Sequence, residues 1–211
     1  MATLAITEAM KSINQAEAQF SLSRSLGLRF FSEWQEALPT LTPQEEAMLD
    51  RVKTSYLYNS ADGALTESTV NLLVTSPLLY LAGFCDPPFK VRGESSVEIS
   101  AEEGGTKLTG RIDALVLQNQ FWLILVESKQ SKFSFSVAIP QALAYMMANL
   151  HPKRPLFGMV TNGDGFLFIK LVQQPKPMYA LSGDFSMFAQ SKNKLYEVLQ
   201  ILKKLGSAIE V

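Results

Sequence analysis

Hydrophobic and polar positions follow a helical period in two neighbouring stretches of the chain. In TPQEEAMLDRV, Thr42 suits a helix cap, Pro43 suits the first helical position and Glu45 completes a capping box. A helix is therefore predicted from there to about Tyr58. After the turn NSADG, the stretch ESTVNLLVTSPLLYLAGF predicts a second, buried helix with a kink near Pro77.

Strand-like patterns follow the CDPP turn and predict three strands, at Phe89–Ile99, Thr106–Leu117 and Phe121–Gln130. The link QNQ between the last two is short enough for a hairpin, so these strands should be antiparallel neighbours. The remaining predicted elements are a helix at Ser136–Asn149, a hairpin about NGDG, a short strand at Met178–Leu181 and a C-terminal helix that ends at Gly206.

The first sixty residues are predicted to be helical, at Ala2–Gln19 and again at Leu28–Leu38, where Pro39 interrupts. With 211 residues and 47% hydrophobic content, the chain can bury one substantial core but not two. We therefore expect one compact domain, in which an N-terminal helical segment at 1–62 packs on a core formed by 63–211.

Composition narrows the classes of function. The formal net charge of -1 gives no strong overall field, so any contact with nucleic acid must come from a local patch. A single cysteine and a single histidine exclude an intrachain disulfide and the usual cysteine and histidine metal sites. The sequence lacks a signal-peptide core and an apolar run of ~18 residues, so a soluble cytoplasmic protein with no membrane contact is expected.

Three charged residues fall on two adjacent predicted strands. Asp113 interrupts the apolar strand GRIDALVL, where an ionised group is costly unless it is paired or bound to metal. Strand alternation places Glu127 and Lys129 on one face of the next strand, and the hairpin allows Asp113 to lie beside Glu127. Such a set suits a magnesium ion and phosphodiester hydrolysis. An ordinary ion-pair cluster, in which Lys129 neutralises both carboxylates, is the open alternative.

Asp113, followed after thirteen residues by the triplet E-S-K at 127–129, resembles the PD-(D/E)XK nuclease signature. Gln141 and Tyr145 resemble the QxxxY motif of the RecB-like nucleases and of the nuclease domain in type I restriction enzyme R subunits, and their spacing gives them one helix face. Glu67 resembles the N-terminal helix glutamate of those domains, and TNGDGFLFIKL resembles their TNG hairpin. Two simpler interpretations stay open, namely a solvated glutamine at Gln141 and a favourable helix-start charge at Glu67.

The resemblance implies an α/β (α+β) fold, a restriction-endonuclease-like mixed β-sheet flanked by helices, with the N-terminal helical segment as an addition. It implies Mg²⁺, or Mn²⁺ in its place, as the cofactor. Its implied metal ligands are Asp113, Glu127, the Ser128 carbonyl and Glu67, while Lys129 would position the attacking water and Gln141 would orient that water or a substrate phosphate. Ile112 replaces the nominal proline, and no GxxxxGK[ST] loop is present, so a stand-alone nuclease-like domain is expected.

The expected activity is metal-dependent DNA hydrolysis by an endonuclease or exonuclease. Lys132, Lys153 and Arg154 are predicted DNA contacts, since basic residues bind phosphate. Tyr145, from the QxxxY resemblance, is a further predicted DNA contact. Ordinary surface solvation is the alternative for Lys153 and Arg154. A homodimer and a separate DNA-recognition or motor subunit are alternative partners, and the rival function is a non-catalytic or partner-dependent binding module that keeps the nuclease fold.

Overall fold

A computed structural model describes residues 3–100, 107–118, 121–128, 130–131, 134–149, 151, 153–190 and 192–207, and only the backbone of residues 100 and 121–128. Within this part of the chain, eight strands form one mixed sheet. They are β1 (Thr3–Ala5), β2 (Ser23–Arg24), β3 (Phe89–Ser100), β4 (Lys107–Gln118), β5 (Phe121–Ser128), β6 (Leu156–Thr161), β7 (Gly165–Val172) and β8 (Met178–Ser186).

The order β1-β4-β5-β6-β7-β8-β2 runs across the sheet, and β3 lies along the other edge of β4. Strand β4 pairs antiparallel with β3 over nearly its whole length, and its opposite edge is divided between two partners. Strand β1 lies beside its beginning, and β5 lies beside Ala114–Gln118. Strand β6 runs parallel to β5, whereas β7 and β8 continue as an antiparallel meander.

Helices cover both faces of this sheet. In chain order they are α1 (Ile6–Ala9), α2 (Ile13–Phe20), α3 (Pro43–Ser60), α4 (Glu67–Val70), a π-helical segment (Asn71–Thr75), α5 (Ser76–Leu81), α6 (Phe135–Met147) and α7 (Leu195–Ser207). One core lies between the sheet and α3, α4, α5 and α7, and a second lies between the sheet and α1, α2 and α6. The result is a mixed sheet with a helical layer on each face, which confirms the predicted fold class.

Predictions from local sequence signals were correct where the structure depends on residues within a single helical turn. Thr42 accepts a hydrogen bond from the Glu45 amide at 3.3 Å, and Glu45 Oε2 accepts one from the Thr42 amide at 2.8 Å. The predicted capping box is therefore confirmed. The three predicted strands and the NGDG hairpin are also present, with β4 antiparallel to β5 and β6 antiparallel to β7.

A π-helical segment lies just before Pro77, where the sequence predicted a kink. Proline has no amide hydrogen, and its ring crowds the carbonyl four residues earlier. Here the helix widens just before the proline, and the Ser76 amide bonds the Asn71 carbonyl five residues back. This local widening accommodates Pro77 without ending the helical stretch.

Two predictions about the N-terminal region were wrong. Leu28–Leu38 forms turns, because its aromatic side chains pack separately onto the sheet; Phe31, for example, is 3% exposed and its ring lies 6.0 Å from that of Phe157. In place of one helix over the first nineteen residues there are β1 and two short helices, the second capped by Ser12. The division of the domain at residue 62 stays a prediction.

The predicted C-terminal helix is present, but the end predicted at Gly206 was wrong. Helix α7 continues to Ser207, so Gly206 lies inside its last turn. A Cβ at Gly206 would lie 2.8 Å from Phe84 Cε1, so this glycine allows close packing and does not stop the helix. None of the described helices combines the length and apolar character required to cross a lipid bilayer.

Candidate active site

Asp113 and Glu127 occupy the point where β4 and β5 separate. The antiparallel pairing of these strands begins at Ala114 with Val126, and Asp113 and Glu127 are the next residue on each strand. Glu127 and Ser128 then pair with β6. The backbone register therefore makes Asp113 and Glu127 neighbours across the end of the β4–β5 ladder.

The pleat of β4 is irregular at this point. Ile112 and Leu115 are three residues apart, yet both join the core beneath α6, whereas regular alternation gives one face to residues separated by even numbers. On the neighbouring strand, Glu94 adopts a φ of 49°, a conformation that costs a non-glycine residue roughly 1 kcal/mol. Asp113, which is partly buried, thus lies in a distorted part of the sheet.

Gln141 is a buried polar residue in the middle of α6. It is 4% exposed, and its Oε1 accepts no hydrogen bond within the described part of the protein. Burying an amide oxygen without a partner costs roughly 1–3 kcal/mol, so it needs an explanation. The solvated glutamine considered as an alternative is excluded by this burial.

Tyr145, one helical turn after Gln141, packs against β4. It is 1% exposed, and a Cβ at Gly110 would lie 2.5 Å from its Cε1 atom. This contact brings the Gln141 face of α6 onto the part of β4 that carries Asp113, because Gly110 precedes Asp113 by three residues. The described contact of Tyr145 is therefore one of packing, and its predicted DNA contact stays a prediction.

Glu67 is held next to the segment that follows β5. It is the first residue of α4 and is partly buried. The preceding residue, Thr66, caps the helix, and its hydroxyl accepts a hydrogen bond from the Thr69 amide at 3.3 Å. Just before this cap, Leu65 exchanges two hydrogen bonds with Ser131, one at 2.7 Å and one at 3.1 Å. Both interpretations of Glu67 therefore remain compatible with its place, at a helix start and near the end of β5.

Several predicted residues lie outside this description or away from the cluster. Lys129 and Lys132 fall outside the described residues, as do the side chains of Glu127 and Ser128. Lys153 and Arg154 are exposed in the turn before β6. Val160, the partner of Glu127, lies four residues after the start of that strand at Leu156, about 13 Å along it. The structure does not bring these two cations beside Asp113.

The sequence missed a polar group at the same end of the sheet. The Tyr56 hydroxyl, on α3, donates to Asp164 Oδ1 at 2.5 Å, within the NGDG turn. Burial first, and then the hydrogen bond and charge of Asp164, raise the pKa of Tyr56 above its ordinary value of 10.0. The turn was recognised as a hairpin, but no local signal connects it to a tyrosine 108 residues earlier.

The residues at this end of the sheet carry oxygen atoms, which are the kind of donor that a divalent metal ion takes. Asp113, Glu127 and Glu67 offer carboxylates, Ser128 offers a carbonyl, and the unpartnered Gln141 Oε1 adds a further oxygen. Oxygen ligands and retained waters are what Mg²⁺ prefers. Among the described side chains, which do not include that of Glu127, no group of three or more His, Cys, Asp or Glu residues is close enough to hold a metal.

Comparison with known proteins places the chain in a family. No curated protein gave a match to the chain. The family model described as the N terminus of the type I restriction enzyme R protein matches residues 7–176. This match contains Asp113, the 127–129 triplet, Gln141 and the NGDG turn. The chain therefore belongs to the family of type I restriction enzyme R protein N-terminal regions.

Proposed function

We propose that the chain is a Mg²⁺-dependent nuclease that hydrolyses phosphodiester bonds in DNA, as an endonuclease or an exonuclease. Family membership supports a nuclease-like domain of a restriction enzyme R subunit that interacts with DNA and with other subunits. The observation that carries the proposal is the register of β4 and β5, because it makes Asp113 and Glu127 neighbours where the two strands part.

Asp113, Glu127, the Ser128 carbonyl and Glu67 would hold the metal ion. A bound Mg²⁺ supplies Lewis-acid polarisation of the phosphate and a more acidic water. A carboxylate pair is suited to this work, since two adjacent carboxylates repel each other unless a cation or a proton lies between them. The irregular pleat at Asp113 provides a donor at the end of the ladder, where β4 and β5 no longer bond each other.

Lys129 and Gln141 would act on the attacking water and on the substrate phosphate. The Lys129 ammonium donates hydrogen bonds to the attacking water and to a non-bridging phosphate oxygen, which stabilises the charge that develops in the transition state. Gln141 Oε1 accepts a hydrogen from the same water and fixes its direction, in keeping with its buried and unpartnered state. The water oxygen bonds to phosphorus as the bond from phosphorus to the leaving oxygen breaks in line. The water proton passes to solvent or to the phosphate, and the leaving oxygen takes a proton from solvent.

The test is cleavage of linear, circular and single-stranded DNA with Mg²⁺, Mn²⁺ or chelator. Asp113→Asn and Lys129→Ala should lower the cleavage rate by roughly 10³-fold while the variants stay folded, since each removes an interaction worth several kcal/mol in the transition state. Glu98→Gln is the matched control, because Glu98 is an exposed carboxylate on the neighbouring strand, paired with Lys107 at 2.7 Å. Full activity in Lys129→Ala would contradict the proposed mechanism.

A second candidate is a partner-dependent module that needs another subunit to bring DNA to the site. The net charge of -1 and the distance of Lys153 and Arg154 from Asp113 favour it, because phosphate contacts supply most affinity for DNA. Metal-induced thermal stabilisation separates the possibilities, since a ligand of the folded state raises its stability. Stabilisation by Mn²⁺ that is lost in Asp113→Asn, without cleavage by the isolated chain, indicates partner dependence. Absence of any metal effect indicates a non-catalytic module.

A further inference from the structure

Glu94 and Arg111 form an exposed ion pair between strands β3 and β4. The two strands are paired on both sides of this point, and their register places Glu94 directly opposite Asp113. Arg111 Nη1 donates a hydrogen bond to Glu94 Oε2 at 3.0 Å. The ion pair therefore joins the cross-strand neighbour of Asp113 to a residue that lies two positions before Asp113 on the same strand.

Arg111 faces away from the core beneath α6. The next residue, Ile112, is 0% exposed in that core, and strand alternation turns its neighbour Arg111 to the opposite face. The side chains of Arg111 and Glu94 are 64% and 77% exposed, so this face is open to solvent. Asp113 follows Arg111 at about 7 Å along the strand. An open surface beside the candidate site therefore carries the guanidinium group.

Stability gives little reason for this arrangement. Glu94 adopts a φ of 49°, which is unfavourable for a residue that has a Cβ atom. An ion pair between side chains as exposed as these contributes little to stability, because water and salt screen both charges. Unfavourable backbone conformations cluster at functional sites. A functional role therefore accounts for the pair of Glu94 with Arg111 better than a gain in stability does.

The chemistry of Arg111 suits a phosphate group of DNA. A guanidinium carries several N–H donors in a planar fork, which matches two oxygens of one phosphate. Its partner in the structure, Glu94, is an exposed carboxylate that a phosphate can replace. The cations Lys153 and Arg154 are not beside Asp113, whereas Arg111 is close to it on the same strand. Arg111 therefore supplies positive charge where the proposed substrate must lie.

We propose that Arg111 binds a phosphate of the DNA backbone close to the cleaved bond, and that Glu94 is its counter-ion in the unbound protein. We call this the Arg111 site. The inference rests on the proposed function, since the phosphate belongs to the proposed substrate. When DNA binds, the guanidinium exchanges the Glu94 carboxylate for the phosphate, and the Glu94 side chain turns to solvent. Glu94 thus competes with DNA, so the two residues of one ion pair affect DNA affinity in opposite directions.

The first test measures binding of the whole chain to a fluorescently labelled DNA duplex by anisotropy, with chelator present so that the duplex stays intact. Arg111→Gln should raise Kd by roughly 10-fold at low salt, because it removes a charge-assisted contact. Glu94→Gln should lower Kd by roughly 3-fold, because it removes the competing carboxylate. A Kd that is unchanged in Arg111→Gln, or that is not lowered in Glu94→Gln, would overturn the proposal.

Salt dependence separates a direct phosphate contact from a general effect of charge. Arg111→Gln should reduce the slope of log Kd against log salt concentration by about 0.9, the value for one phosphate contact on duplex DNA. The same slope in Arg111→Gln and in the wild type would contradict a phosphate contact at this residue.

The matched control is the ion pair of Lys107 with Glu98 at 2.7 Å, on the same two strands. Lys107 lies about 20 Å from Asp113 along β4. Lys107→Gln and Glu98→Gln should each change Kd by less than about 2-fold. An equal loss of affinity in Lys107→Gln and Arg111→Gln would mean that the charge of the whole β3–β4 hairpin attracts DNA, and would overturn the Arg111 site.

Thermal unfolding checks that no change in Kd comes from loss of the fold. The side chains of Arg111 and Glu94 are largely exposed, so both variants should unfold within a few degrees of the wild type. A large loss of thermal stability in either variant would mean that the ion pair supports the fold, and would contradict its assignment to DNA binding.

Three results separate the Arg111 site from the proposed nuclease activity. Metal-dependent cleavage by the wild type, with unchanged Kd in Arg111→Gln, would support the nuclease and overturn the Arg111 site. Absence of DNA binding by the wild type would also overturn that site, whereas stabilisation by Mn²⁺ that is lost in Asp113→Asn would still support the metal site. DNA affinity that depends on Arg111 and Glu94 in a chain that never cleaves DNA would support the Arg111 site and contradict the proposed hydrolysis.

Discussion

Polar groups are distributed differently at the end of β5 and β6 and at the contact between α3 and α7. At the strand ends, Ser131, Gln141 and Thr161 are all less than 6% exposed, and one amide oxygen has no partner in the described structure. Between the two helices, the core is apolar and the ion pair of Glu45 with Lys203 lies at the rim. Buried polar groups lower stability unless they are bonded, so the second region is arranged for stability, and the polar groups of the first region support the proposed binding site.

The largest effect on stability should come from the core under α7. Leu202→Ala removes a side chain that is 0% exposed, and should lower the free energy of unfolding by about 2–5 kcal/mol through lost burial and a cavity. Activity per folded molecule should remain, since α7 carries no candidate site residue. Chemical denaturation and cleavage assays check this. Leu72→Ala, at a residue 71% exposed, is the control and should change stability by less than about 0.5 kcal/mol.

The helix–helix region could be predicted from sequence because its signals are local. The capping box at Thr42 and Glu45 involves one turn of chain, and the stripe of α7 follows the helical period. By contrast, residues 28–38 are ordered by distant contacts, such as Trp34 on Phe185 at 6.1 Å between ring centroids. A helical period is not required for side chains that each find a separate place on the sheet.

The sequence was sufficient to predict that Asp113 and Glu127 are neighbours, but not to predict the contacts that surround the candidate site. Asp113 and Glu127 follow from strand alternation and a short hairpin, both of which the sequence displays. The Tyr56–Asp164 bond joins residues 108 positions apart and depends on the path of α3 over the sheet. The burial of Gln141 was also not apparent, since QxxxY specifies only a shared helix face.

A smaller effect, which reaches both stability and activity, is expected at the contact of α6 with β4. Gly110→Ala places a Cβ 2.5 Å from Tyr145 Cε1, so α6 must shift, at a cost of about 1–3 kcal/mol. The shift moves Gln141 relative to Asp113, and kcat should fall more than stability alone explains. Thermal unfolding with cleavage kinetics measures both quantities.

The control for this prediction lies on the neighbouring strand. Gly93→Ala adds the same methyl group, but its nearest neighbour would be the Asp113 carbonyl oxygen at 3.8 Å, an ordinary contact distance. This variant should keep stability within about 0.5 kcal/mol. If Gly110→Ala and Gly93→Ala behaved alike, the close contact of Tyr145 with β4 would not be what holds α6 in place.

The smallest effect concerns the rim of the α3–α7 contact and depends on pH. Burial alone would raise the pKa of Glu45, but hydrogen bonds from Lys203 and Thr42, together with the Lys203 charge, leave that pKa below its ordinary value of 4.5. A carboxyl group whose pKa is lowered by folding stabilises the protein above its unfolded-state pKa, and this stability is lost as the pH falls through the folded-state pKa.

Glu45→Gln should therefore cost about 1 kcal/mol near pH 7, since the pair is partly buried, with side-chain exposures of 15% for Glu45 and 28% for Lys203. The difference from wild type should disappear below the lowered pKa, where Glu45 itself is neutral. Denaturation curves between about pH 3 and pH 7 measure it. The control is Glu46→Gln. Glu46 lies in the same helical turn but has no ion pair to α7 among the described contacts, so this variant measures the effect of helix-end charge alone. An equal loss of stability in both variants would mean that the charge at the helix end stabilises the protein and that the ion pair of Glu45 with Lys203 makes no measurable contribution.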